Sequence, residues 1–344
     1  MTFRHRLPIL AKRGAIRLGT LFAILAGLGF WGYGCMIGMP GRSWDGPLPP
    51  LTEEERALSA SLRRDVTELA STIGIRNWLT HPHLEAAADY LEKRLRESGH
   101  SVARQSYTVD GNPFHNLEVE IRGVSAPEEI VIVGGHYDSV VACPGANDNA
   151  TGAAATVALA AAFAQERPAR TLRFVAFTNE EPPHYRTDQM GSVVYAKRCR
   201  ERNEKVVAMM SLETMGFYSD REKSQEYPVP LSIFYPSKGN FIAFVSNVSS
   251  RRLVKQAIRV FREQVKFPSE GAALPSVLPG VGWSDHWSFW EQGYPALMVT
   301  DTAPFRYKHY HTAQDTIDKV DFDSLARVTR GLVPVVRALA SPPP

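Results

Sequence analysis

The chain has 344 residues, of which 44% are hydrophobic, 22% charged and 10% aromatic, a composition that excludes a disordered, collagen-like or multiply membrane-spanning chain. By length alone, at roughly 150 residues per domain, two domains are expected. The formal net charge is +3, but residues 1–40 contain five basic side chains (Arg4, Arg6, Lys12, Arg13, Arg17) and no acidic one; without those five, 34 Lys and Arg face 36 Asp and Glu, so the bulk of the chain has no electrostatic case for nucleic acid.

Directly after the basic cluster, Leu18 to Met39 is a run of 22 residues without a charge. A helix needs about 20 apolar residues to cross the hydrocarbon of a bilayer, and Trp31 and Tyr33 lie toward the far end, where aromatic side chains favour the interface. The positive-inside rule places Arg4 to Arg17 in the cytoplasm and everything after about residue 40 outside, periplasmic or extracellular. A cleaved signal peptide, which would make the protein secreted, has a shorter apolar region of about 7–15 residues and an A-x-A-like site; no such site is present. The sequence therefore divides into a basic tail (1–17), a transmembrane anchor (18–39), a Gly- and Pro-rich linker (40–51) and a folded body (52–344).

In the body, Thr52-Glu53-Glu54-Glu55 reads as a helix start, and Leu84, Ala88, Leu91 and Leu95 recur at helical spacing. Leu117 to Ile121 and Ile130 to Val133 read as strands, the second a continuous run typical of a sheet interior. A helix comes next over 152–164, then a strand over 172–177, a helix over 192–200 and a strand over 206–212. A short apolar segment at 231–235, a helix across 238–263, a strand over 296–300 and a last helix over 323–339 complete the pattern. Alternation of this kind predicts an α/β fold with a mostly parallel central sheet, and with no second change of composition the body reads as one large domain. Cys35, Cys143 and Cys199 have no metal-ligand spacing; a Cys143–Cys199 disulfide and two separate buried thiols both fit the sequence.

Sites in open α/β sheets form at the carboxyl ends of the strands, and those ends carry an unusual set of side chains. His136 and Asp138 come after the strand at 130–133, Asp148 precedes the Ala-rich helix, Glu180 and Glu181 come after 172–177, Glu213 after 206–212, and a loop after 296–300 leads to Tyr310 and His311. Singly each has a plain explanation; Asp148, for one, suits a helix N-cap. Together they bring imidazoles and carboxylates to one rim, as a His/carboxylate metal site requires.

Six ordered motifs carry a family resemblance: His136-Tyr137-Asp138-Ser139, Gly145-Ala146-Asn147-Asp148-Asn149-Ala150-Thr151-Gly152, Asn179-Glu180-Glu181, Met190-Gly191-Ser192, Ser284-Asp285-His286 and Tyr310-His311-Thr312. Over about residues 60–340 the chain resembles the dinuclear zinc aminopeptidases, the family of secreted bacterial leucyl aminopeptidases, glutamate carboxypeptidase and glutaminyl cyclase. The resemblance implies a three-layer fold with a mixed central sheet between helices and two zinc ions. His136, Asp148 and Glu213 would hold one ion and Asp148, Glu181 and His311 the other, with Asp148 shared. It also implies that Glu180 is the general base and that Asp138 orients His136 from behind. Many members have Asp where this chain has Glu213.

Zinc makes a water available as a nucleophile near neutral pH, and a facing Glu180 would carry its proton to the leaving amine. The activity implied is removal of N-terminal residues from peptides; glutaminyl cyclase, a pyroglutamate-forming acyltransferase on the same fold, is the alternative, carboxypeptidase or dipeptidase activity a third possibility, and a non-catalytic binding ectodomain a reading from a different class. Asp285 is expected to support the ligands from behind or to lie on the substrate side, with His286 and Tyr310 as candidate substrate contacts. Arg186 is a candidate for a substrate carboxylate or a solvated loop residue. Gly271 to Gly282 is a candidate pocket wall. No oligomeric state can be assigned from the sequence.

Overall fold

The computed structural model describes residues 6–341, with side chains described for residues 17–27 and 29–341; Arg4 of the basic cluster lies outside the described residues. A helix, α1 (Arg6–Met36), is followed by an extended stretch. That stretch lies along the body: Arg262 donates to the carbonyls of Pro40 and Gly41, and Ser43 Oγ accepts from the Ser269 backbone.

Helices α2 (Glu53–Thr67) and α3 (His81–Glu97) lead into the sheet. Thr52 and Glu55 form a capping box at the start of α2, each side chain bonding the other's backbone N–H, which satisfies two of the donors a helix start leaves free. The strands are β1 (Val102–Val109), β2 (Asn112–Ile121), β3 (Ala126–His136), β4 (Arg170–Phe177), β5 (Lys205–Glu213), β6 (Ile242–Asn247), β7 (Ser269–Leu274) and β8 (Ala296–Thr300). They form one sheet in the order β1-β2-β4-β3-β5-β8-β6-β7. The central block β4-β3-β5-β8 is parallel, with antiparallel joins at β2–β4 and β8–β6.

The sheet interior is apolar on both faces. Val131 and Val133 point into a core shared with α4 (Thr151–Ala162), α6 (Arg251–Gln264) and α8 (Phe322–Leu339); Ile130 and Ile132 point into a second core shared with α5 (Gly191–Glu201) and α7 (His286–Glu291). This alternation reflects the two-residue period of a strand and gives the three-layer α/β arrangement.

One expectation is corrected. The single helix over 238–263 is instead β6 followed by α6: Ile242-Ala-Phe-Val is apolar enough to join the sheet, and Asn247 accepts from the Ser250 backbone where the chain turns into the helix. The segment 231–235 is a short helical turn within a loop, between Pro228 and Pro236. The candidate wall at 271–282 begins as edge strand β7 and, as expected, contributes Ala272, Leu274, Gly280 and Val281 to the lining of a cavity. Cys143 and Cys199 are separate buried thiols.

Candidate metal centre

Because β4, β3, β5 and β8 are parallel neighbours, they end on one rim. β3 ends in His136 and β5 in Glu213, and Glu180 and Glu181 come within four residues of the end of β4. Asp148 arrives from the turn Ala146–Ala150 before α4, through a cis peptide to Asn149. His311 comes from the loop after β8, in a left-handed conformation with φ of 57°.

Two glycines set the closeness of these elements. A Cβ at Gly135 would lie 2.5 Å, and one at Gly152 2.2 Å, from the Leu212 carbonyl oxygen; only glycine lets α4 approach the end of β5 so nearly. Asn149 fixes the junction, with its Nδ2 donating to Leu212 O and its Oδ1 accepting from the N–H groups of Gly152 and Thr214.

The side chains meet as two triads that share Asp148. His136 Nε2 lies 3.4 Å from Asp148 Oδ1 and 3.2 Å from Glu213 Oε2. His311 Nε2 lies 3.1 Å from Asp148 Oδ2 and 3.3 Å from Glu181 Oε2. In each triad the candidate ligand atoms fall within 4.8 Å of one another. Glu180 Oε2 lies 3.8 Å from His136 Nε2. Asp138 stands behind, its Oδ1 3.4 Å from His136 Nδ1, and accepts from the backbone N–H groups of Glu180 and Glu181. One carboxylate thereby orients an imidazole of the first triad and the two-glutamate turn beside it.

The donor set fits a divalent cation. Burial raises the carboxyls of Glu180, Glu181 and Glu213, Glu181 to about 8 with the Asp148 charge adding to the effect. Burial disfavours charge on Asp148 and His311 too, but the His136 and His311 imidazoles hold Asp148 low, and Asp148 and Glu181 push His311 up to about 11. The imidazoles and the Glu carboxyls of the cluster are thus both shifted toward holding protons, which a bound cation would displace. Asp148 Oδ2 and Glu181 Oε1 are buried and accept no hydrogen bond, as expected of atoms reserved for a ligand.

Glu213, longer by one methylene than the Asp that the resemblance leads one to expect, reaches the first triad. Ser284 Oγ donates to its Oε2 at 2.7 Å and is itself bonded to Ser211 Oγ. Asp285 is fully buried and raised to about 7 by burial, with His136 opposing and Glu213 and Asp138 adding. His286 is buried away from the ligands: its Nε2 bonds the Val281 carbonyl, its ring meets Trp290 edge-on, and burial lowers it to about 4. Tyr310 stacks on His311 at 3.8 Å and, with Glu213, borders an apolar cavity of about 100 Å³ against the β6–β7–β8 face. Arg186 is ordered on that side, donating to Gly282 O with its guanidinium over Trp287.

Three residues behind the site are not singled out by sequence reasoning. Asp315 accepts from the backbone N–H groups of Asn147 and Asp148 and from Tyr307. Asp301 accepts from Asn147 Nδ2 and Phe217 N. Arg76, fully buried, donates to the carbonyls of Tyr137, Pro144 and Gly145, among others. Asp315, four residues after His311, offers a signal; a lone Arg between Ile75 and Asn77 offers none.

Residues 116–336 match the model of peptidase family M28. The chain belongs to that family. Within this zinc metallopeptidase family it is 33% identical over 301 residues to the protein YfbL of Escherichia coli (strain K12), covering 85% of this chain and 91% of YfbL. The fold is that of BSAP, a zinc aminopeptidase from Bacillus subtilis, with a TM-score of 0.66 at 13% identity over 83% of this chain and 95% of that one. It is also that of a glutaminyl cyclase from Fimbriiglobus ruber, with a TM-score of 0.61 at 22% identity over 86% and 98%. All five residues of the two triads lie inside the span of the M28 match.

Proposed function

We propose that the protein is an aminopeptidase with two zinc ions, removing N-terminal residues from peptides, its body held outside the cytoplasm by α1. The observation that carries this reading is the pair of triads sharing Asp148, with Glu180 facing His136 and an apolar cavity alongside. His136, Asp148 and Glu213 would hold one ion, and Asp148, Glu181 and His311 the other. Bound zinc supplies a water that ionises near neutral pH and polarises the scissile carbonyl.

The chain's own residues do the rest. Glu180, buried among other carboxylates, has a raised affinity for a proton, which suits it to take one from the attacking water and deliver it to the leaving amine. Asp138 keeps a proton on His136 Nδ1, leaving Nε2 free as a donor atom. The cavity beside Tyr310 and Glu213 receives the side chain of the N-terminal residue, and its apolar lining favours apolar ones.

The test is Glu180→Gln in the zinc-loaded protein. Hydrolysis of aminoacyl anilides should fall by about 10²–10⁴ while zinc content stays that of the parent; unchanged turnover rejects Glu180 as the base. Pyroglutamate formation with one zinc per chain, in place of hydrolysis with two, would assign the protein to cyclisation.

A further inference from the structure

We propose that the body rests on an anionic phospholipid surface, held by the apolar tips of two loops and the basic face of α6, with the cavity mouth beside the bilayer. This rests on the reading of α1 as a membrane span.

The span sets the level. Arg17–Met36 is 20 residues long, apolar and exposed; at 1.5 Å per residue it covers roughly 30 Å, the thickness of the hydrocarbon. With Arg17 at one boundary, Tyr33 to Met36 lie at the other. Here the body meets the helix on two sides. On one side the Phe234 ring lies 6.0 Å from Tyr33, and Met36 and Ile37, like Leu231 and Leu278, pack against the cluster of Ala272, Leu274 and Val281. The two loops that supply these contacts project further apolar side chains: Val229 is 89% exposed, Ile233 76% and Val277 88%. Such a cluster is costly in water and favourable in the interfacial zone of a bilayer.

On the other side Lys255 donates to the Gly34 carbonyl, one residue from Tyr33. It belongs to α6, RRLVKQAIRVFREQ, whose apolar face is buried against the sheet. Among the described residues Arg252, Lys255 and Arg259 pair with no carboxylate. Basic side chains at head-group level gain about 1 kcal/mol each from anionic lipid. Apolar tips and cations without a carboxylate partner, flanking one end of the span, match a lipid surface better than a protein partner. Leu231 also lines the cavity, so the loop that meets lipid roofs the pocket, and peptides reach it along the membrane.

The experiment uses the full chain with Cys35→Ser, reconstituted in vesicles of phosphatidylcholine and phosphatidylglycerol containing a doxyl-labelled lipid. Single cysteines replace Ile233, Val277, Phe22 within the span, or Glu128 at the start of β3, four strands away from β7, each carrying a fluorophore. Zinc content and circular dichroism like the parent's show that each variant folds. Quenching at 233 and 277 several-fold above that at 128, reduced in pure phosphatidylcholine or by R252E/K255E/R259E, is expected. Quenching at 22 with none at 233 and 277 overturns the proposal and leaves the anchor standing. Absence of quenching at 22, with release by alkaline carbonate, removes the anchor and the proposal together. Shielding of 233 from water without quenching by lipid would assign the patch to a second copy or another protein, against the proposal; quenching indifferent to lipid charge would overturn the role of α6.

Discussion

Gly152→Ala tests whether the close approach of α4 to β5 is what sets the ligands. The added Cβ would lie 2.2 Å from Leu212 O, 2.4 Å from Asn149 Oδ1 and 2.7 Å from Asn149 Nδ2. None of these atoms can swing aside, since Asn149 is bonded to Leu212, Gly152 and Thr214 at once. Reaching even 3.0 Å, below which real Cβ contacts essentially never fall, requires the helix and strand to part by 0.8 Å. Asp148 lies on one side of that gap and Glu213 on the other. Overpacking of this kind costs about 1–3 kcal/mol, and a misplacement near 1 Å at a reacting centre costs about 10² in rate. Ligand distances must hold to about 0.2 Å, so zinc should be lost as well. Zinc per chain after dialysis, thermal unfolding and kcat/KM on a leucine anilide measure the three effects. A variant that keeps the parent's zinc content and turnover would show that the approach of α4 to β5 does not position the site.

Arg76→Met should destabilise the protein by about 3 kcal/mol or more, because each buried carbonyl left without a donor costs about 1–3 kcal/mol; urea unfolding measures it, and a loss under 1 kcal/mol would deny the clamp. His286, lowered to about 4 by burial, binds fewer protons folded than unfolded between that value and its ordinary 6.5. Its stabilising contribution is therefore complete above 6.5 and falls as pH drops toward 4, by about 3 kcal/mol at 1.36 kcal/mol per unit; His286→Gln should flatten that part of the stability curve, and an unchanged slope refutes the assignment. Glu213→Asp should withdraw the carboxylate by about one C–C bond, roughly 1.5 Å, from Ser284 and His136, lowering zinc in the first triad while Asp148, Glu181 and His311 keep theirs; an unchanged zinc content on titration with chelator would show that Asp fits here equally well.

The ligands are legible in the sequence because each stands close to an element that the local pattern announces. A run such as Ile130–Val133, β-branched throughout, reads as a buried strand, and the residues after it then lie at its carboxyl end, so His136 is placed by the pattern of its neighbours. The same reasoning fails where local pattern and tertiary role diverge. β1 alternates poorly, being an edge strand with exposed Ala103, Ser106 and Thr108 among half-buried neighbours. β7 is Ser-Glu-Gly-Ala-Ala-Leu, without one β-branched residue, and is held as a strand by pairing with β6 along its whole length. In 238–263 the amphipathic pattern of α6 extends backward over β6, whose residues are apolar enough for either state. Arg76 is invisible for a different reason: its role depends on carbonyls more than 60 positions away.

The buried acids that the sequence hides share a chemistry with the one it displays. Asp138, Asp301 and Asp315 are buried, and each accepts at least one backbone N–H from the loops that carry the ligands. A carboxylate is used here where a neutral acceptor would satisfy a single N–H, because each of these must hold two or three donors at fixed angles, and charge strengthens every bond. Asp315 takes the N–H of Asp148 itself, so the shared ligand is held through its backbone by one carboxylate while its side chain faces two imidazoles. Holding so many negative groups together in a dry interior requires positive charge nearby. Behind the rim the buried guanidinium groups of Arg76, close to Asp138 and Asp315, and of Arg306, close to Asp301, supply it; in front, where Asp148, Glu181 and Glu213 meet, no Lys or Arg pairs with them among the described residues, and that is the place a cation would fill.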